Sequence, residues 1–82
     1  MEWYVYIVEC ADGTFYTGVS TDPNRRAEDH NTGMGAKYTS GRRPVTLLYI
    51  ERAKDYSEAL KREFAIKKLK RYQKMNLIRE GQ

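Results

Sequence analysis

With 82 residues the chain has material for one domain and one modest core, because a chain this short buries only about 60% of the surface it exposes when unfolded. Its single cysteine, Cys10, excludes an intrachain disulfide, and no zinc-finger spacing exists, which points to a reducing, cytoplasmic setting. The formal charge is +4, the opening "MEWYVYIVEC" is too short and too polar for a signal peptide, and no apolar run approaches the roughly 18–20 residues of a membrane span, so a polyanion is a fitting partner and a membrane is not.

A first strand is predicted from Trp3 to Cys10 and a second from Thr14 to Ser20, around the turn signal Asp12-Gly13. Asp22 is a good N-cap and Pro23 suits the first helical position, so a helix should run from there to Asn31. "TGMGAKYTSGRRP", Thr32 to Pro44, has no sustained period and reads as a loop, long enough to be functional or mobile. Val45 to Ala53 reads as a third strand, most of it buried; Asp55 or Ser57 then caps a long helix to Lys70, and a shorter helix ends at Gly81. The order β-β-α-β-α-α implies one small α/β (α+β) domain, a three-stranded sheet flanked by helices. Its first strand is expected at the centre, since Trp3, Val5 and Ile7 alternate with Tyr4, Tyr6, Val8 and Cys10 and both faces are largely apolar.

Positive charge is concentrated. Between Lys61 and Arg79 there are eight Lys or Arg, including Lys67, Lys70 and Arg71, against one acid, Glu63. Arg25, Arg26, Lys37, Arg42 and Arg43 form a second group in the middle of the chain. Solvated helix faces account for such charge as readily as a nucleic-acid surface does.

The hairpin and the long helix single out residues by their geometry. In the hairpin, a two-residue Asp12-Gly13 turn would set Tyr6 against Val19 and separate Tyr6 from Tyr16. A three-residue loop, Ala11-Asp12-Gly13, with Gly13 left-handed, pairs Tyr6 with Gly18 and puts Tyr4, Tyr6 and Tyr16 on one face. Both registers are permitted; the second is favoured because it leaves Trp3, Val5, Ile7, Phe15 and Val19 as a separate core face. On the long helix, at about 100° per residue, Tyr56, Ala59, Leu60, Phe64 and Ile66 form an apolar stripe, and Glu63 falls within about 20° of its centre. An inward carboxylate must be paired or bind a metal, so Glu63 is either an i,i+4 ion pair with Lys67 or a metal ligand. Arg26 and His30, four apart, share a face of the first helix.

Tyr4-Val5-Tyr6, Tyr16-Thr17-Gly18, Arg26 with His30, and "ALKRE" ending in Glu63, in this order and spacing, resemble the GIY-YIG endonuclease superfamily. With "GAKYTSGRRP", nearly the whole chain is similar to its small single-domain bacterial members of uncharacterised function. The resemblance implies a three-stranded antiparallel sheet and a Mg²⁺- or Mn²⁺-dependent phosphodiesterase site. By position it implies Tyr6, Tyr16, Arg26, His30 and Glu63 as site residues, with Glu63 as metal ligand. Tyr4 stands for the family's first Gly, Thr17 for its Ile, and Val19 where excision-repair relatives have Lys; Asn76 lies near their later Asn. The expected activity is therefore metal-dependent endonucleolytic cleavage of DNA of repair or recombination type, with Lys37, Arg42, Arg43, Lys67, Lys70 and Arg71 as nucleic-acid contacts. A protein partner could supply specificity, because characterised superfamily nucleases generally rely on further domains or partners. The alternative expectation is a nucleic-acid-binding module without catalysis.

Overall fold

The computed structural model describes residues 1–81. Strands β1 (Trp3–Glu9), β2 (Phe15–Ser20) and β3 (Thr46–Ala53) form one antiparallel sheet in the order β2-β1-β3. The first strand is thus central, and the other two are edges. Helices are α1 (Pro23–Asn31), α2 (Lys37–Ser40), α3 (Tyr56–Lys67) and α4 (Arg71–Glu80).

The hairpin takes the three-residue loop. Tyr6 pairs with Gly18 and Val8 with Tyr16, Cys10 N–H donates to Thr14 at 2.8 Å, and Gly13 adopts φ 85°, a left-handed angle that favours glycine. Two cores result. Val5 and Ile7 pack with Tyr49, Ala59, Ile66 and Ile78 under α3 and α4, while Tyr6, Val8, Cys10 and Val45 pack on the other face with Ala27 of α1.

Caps act where the sequence placed them. Asp22 accepts from Arg25 N–H at 3.2 Å with Pro23 following, and Asp55 accepts from Glu58 N–H at 2.9 Å. Four expectations are corrected. The segment from Thr32 to Pro44 is not wholly loop: it contains α2, one turn held by the buried Thr39, so the order is β-β-α-α-β-α-α. The long helix ends at Lys67, short of Lys70, where Lys68 and Leu69 close tighter turns onto Ala65 and Ile66 and Gln73 caps the next helix through Lys70 N–H at 2.8 Å. The apolar stripe is narrower than its hydropathy: Ala59 and Ile66 are buried, whereas Tyr56, Leu60 and Phe64 are exposed, Phe64 to 62%. Only one side of the helix meets the sheet, and the line through Ala59, Glu63 and Ile66 is that side. Likewise β3 is an edge strand, with Tyr49 buried and Ile50 exposed, rather than mostly buried.

One side chain ties α1 to β3. The Asn31 amide accepts from Val45 N–H at 2.6 Å and donates to Val45 C=O at 3.0 Å, imitating a strand partner just after the Arg43-Pro44 corner. Both backbone groups would lose their partner in Asn31→Ala, which should cost about 1–3 kcal/mol in urea denaturation. A loss indistinguishable from zero would mean that water replaces the amide.

Candidate active site

The hairpin register brings the Tyr6 ring across Gly18. A Cβ built on Gly18 would lie 2.5 Å from the Tyr6 hydroxyl oxygen, so this strand position must be bare for the phenol to lie flat there. The hydroxyl then reaches His30 Nε2 at 2.8 Å in the interior, linking β1 to the last turn of α1. Tyr6 is only 1% exposed and His30 fully buried.

On its other side, His30 Nδ1 lies 2.8 Å from Thr39 Oγ1, and the Thr39 hydroxyl is 2.9 Å from Ala36 C=O. These three short contacts fit one head-to-tail chain: Tyr6 O–H donates to Nε2, Nδ1–H donates to Thr39, and Thr39 donates to the Ala36 carbonyl. In the opposite tautomer Nδ1 would accept from Ala36 N–H at 3.3 Å, and the Thr39 hydroxyl would have to turn from the Ala36 carbonyl to donate to Nδ1. Gly35 lets the backbone pass closely enough to the imidazole to close the network, since a Cβ there would fall 2.2 Å from Nδ1. Burial, and then the Arg26 charge, push the His30 pKa down, so the ring is neutral near pH 7.

The other expected residues gather around Tyr6. Burial pushes the Tyr6 phenol up to about 12, Tyr16 and the Glu63 carboxylate also raise it, and the Arg26 guanidinium opposes them. Tyr16 comes from β2, its ring centroid 6.5 Å from that of Tyr6, Arg26 from α1 and Glu63 from α3. Arg26 and Tyr16 are half-buried and are the members a ligand meets first. Arg26 keeps only a loose contact with Asp29 at 3.9 Å. The Tyr16 ring sits edge-on to His30, with centroids 5.2 Å apart.

Glu63 has a side chain 19% exposed and pairs with Lys67 at 3.3 Å, the i,i+4 bond foreseen as the alternative to a metal. No cluster of three or more His, Cys, Asp or Glu suited to a metal occurs among the described residues. A single carboxylate nevertheless suits Mg²⁺ or Mn²⁺, hard ions that keep several waters and take further oxygens from a phosphate substrate. Glu63 could hold such an ion.

The basic residues divide. Lys37 and Lys70 are exposed, and Lys67 lies beside Glu63. Arg42 instead bonds Asp12 at 3.0 Å and Tyr38 C=O at 2.8 Å and covers the Tyr38 ring at 4.0 Å. Arg43 bonds Ser40 C=O at 3.0 Å and Asn31 C=O at 3.4 Å, and Arg71 bonds Gly13 C=O at 2.7 Å over the Phe15 ring. Those three guanidiniums brace the α2 segment and the hairpin turn. Tyr38, stacked on Tyr16 with centroids 5.9 Å apart, and Thr39 were missed by sequence reasoning. Their only sequence signal is an aromatic and a hydroxyl residue inside a Gly- and Ser-rich stretch, with no period to place them.

Known proteins resemble this chain over nearly its whole length. A family model described as the GIY-YIG catalytic domain matches residues 2–76. A UPF0213 protein of Halobacterium salinarum is 56% identical over 75 residues, covering 92% of this chain and 97% of its own, and one of Staphylococcus aureus is 56% identical over 77 residues, 94% of each. Among solved structures, a protein from E. faecalis determined by solution NMR is similar with a TM-score of 0.65 and 45% identity, over 98% of this chain and 85% of that one. The UPF0213 protein from Bacillus halodurans gives a TM-score of 0.60 at 45% identity, over 95% and 83%.

Two outcomes follow from the Tyr6–His30 geometry. Gly18→Ala should displace the Tyr6 ring and destabilise the fold by about 1–3 kcal/mol, read by urea denaturation, with the 2.8 Å bond lost in a crystal structure of the variant. The unfolded chain takes up a proton at His30 near pH 6.5 while the folded chain resists it, so stability is full above that pH and falls below it. The urea midpoint should therefore drop between about pH 7.5 and about pH 5.5, and His30→Gln, weaker at the higher pH, should lose most of that drop. An unchanged pH response in the variant would assign the effect elsewhere.

Proposed function

The chain belongs to the GIY-YIG family, and on that premise we propose that it is a metal-dependent endonuclease that hydrolyses phosphodiester bonds in DNA. The observation that supports this most is the grouping at one phenol, Tyr6, of His30 at 2.8 Å and the Tyr16 ring with centroids 6.5 Å apart, within the fields of the Arg26 and Glu63 charges. A nucleic-acid binder needs the arginine but gains nothing from a carboxylate that repels phosphate.

Bound at Glu63, Mg²⁺ or Mn²⁺ would supply Lewis-acid stabilisation of charge on the phosphate and its leaving oxygen. Arg26 donates paired hydrogen bonds to phosphate oxygens, and these strengthen as negative charge builds up at phosphorus. Tyr6 cannot act as a free phenolate at neutral pH with a pKa of about 12. It can act as a relay: its oxygen takes a proton from the attacking water as its own proton moves to His30 Nε2, 2.8 Å away. His30, neutral and out of contact with water, then holds the proton, while Nδ1–H stays on Thr39. His30 is in this reading the final base, Tyr6 the buried relay to it, and Arg26 and Tyr16 the groups that meet the substrate first. Tyr16 orients water or phosphate at the mouth of the site.

The Glu63–Lys67 ion pair favours a second reading, a binding module in which the carboxylate only neutralises a lysine. Glu63→Gln separates the two. Mg²⁺-dependent cleavage, screened over branched, nicked and single-stranded DNAs, should fall at least about a hundredfold while DNA affinity stays equal or rises. Cleavage that survives the change, or no cleavage of any substrate with either metal, would favour the binding module.

A further inference from the structure

Beside Tyr16 a groove of about 300 Å³ is lined by Phe15, Tyr16, Thr17, Tyr38, Lys67 and Lys74. Phe15 and Thr17 project from one face of the sheet and Tyr16 from the other, and β2 is an edge strand, so the groove passes around the free edge of β2. It joins the Tyr6 side of the sheet to the side where α3 and α4 lie.

Its walls differ in kind. On one side the Tyr16 and Tyr38 rings are stacked at 23°, and Arg42 holds Tyr38 from the hairpin turn through Asp12, so the aromatic wall is in place before any ligand arrives. On the other stand two ammonium groups and no carboxylate. Lys67 is shared with Glu63, while Lys74, half-buried, has no acidic partner among the described residues. Rings opposite cations are the complement of a nucleobase and its phosphate. The volume suits about one nucleotide and is too small to enclose a base pair.

We infer that this groove is a subsite for one unpaired nucleotide of the strand being cut, next to the scissile phosphate. The inference rests on the nuclease reading and narrows it: the substrate is single-stranded, or splayed, on the side of the cut that follows β2 around its edge. Tyr38 and Lys74 become substrate-binding residues, with Tyr38 contacting the base and Lys74 the phosphate.

Binding without metal tests this apart from cleavage. The full-length Glu63→Gln chain, in chelator, is titrated by fluorescence anisotropy into labelled oligothymidine of about 12 nucleotides, the corresponding oligouridine, and a duplex of equal length. Adding Tyr38→Leu or Lys74→Gln should weaken single-strand binding at least about fivefold, Tyr38→Phe should not, and duplex binding should change less than about twofold. Lys74→Gln should also reduce the slope of log affinity against log salt by about 0.7, the value for one phosphate contact on a single strand. Oligouridine bound as well as oligothymidine supports the subsite and widens it to ribose. Equal losses for single strand and duplex, or no loss in variants that remain folded by circular dichroism, would overturn it. Cleavage activity could survive that second result, so failure of the subsite is distinct from failure of the nuclease reading.

Discussion

The hydrogen bond between the Tyr6 hydroxyl and His30 Nε2, 2.8 Å long and buried, is the constraint around which the rest is arranged. It joins the central strand to α1, and it exists only because Gly18 leaves room for the ring and Gly35 lets the chain close over the imidazole. A buried imidazole and a buried phenol are each costly without a partner; together with Thr39 and the Ala36 carbonyl they satisfy one another. No buried side-chain polar atom among the described residues is left without a hydrogen bond. The one-turn helix α2 is therefore part of the site, since Thr39 orients the histidine that holds the tyrosine.

Net charge is a poor guide to which cations meet a ligand. Arg42, Arg43 and Arg71 each bond a backbone carbonyl, and two of them also lie over aromatic rings. A guanidinium, with several donors in a rigid plane, suits such bracing better than an ammonium does. Lys37, Lys67 and Lys70 are exposed instead. Lys67 and Lys74, on successive helices, face Tyr16 and Tyr38 across the edge of β2. Arg26 differs from these three: it lies beside Tyr6 with a loose acidic contact to Asp29.

Much of the architecture was legible because it rests on local rules. Asp12-Gly13 needs a left-handed residue, and a separate face carrying Trp3, Val5, Ile7, Phe15 and Val19 favours, of the two permitted registers, the one observed. Asp22 and Asp55 announce their helices by chemistry that acts within four residues. What was not legible depended on distant contacts. No Gly or Pro stops α3 at Lys67, and nothing in the hydropathy of Leu60 and Phe64 says that the sheet runs out before it reaches them. The helical turn at Lys37–Ser40 has no side-chain cap; it is held from outside, by His30 and by Arg42.

By itself, then, the sequence determined the hairpin, the central place of β1, the helix starts, the family, and the inward position of Glu63, all from patterns with short periods or from motif order. Tertiary structure decided which residues work together. That Tyr6 bonds His30, that Thr39 sets the histidine, that Arg42 braces while Lys74 lines the groove, and that Tyr16 and Tyr38 stack are facts of through-space approach between segments up to 58 residues apart, as in the Arg71 to Gly13 bond. A side chain's partner is chosen by where the packed backbone delivers it, and that geometry has no local signature in the chain.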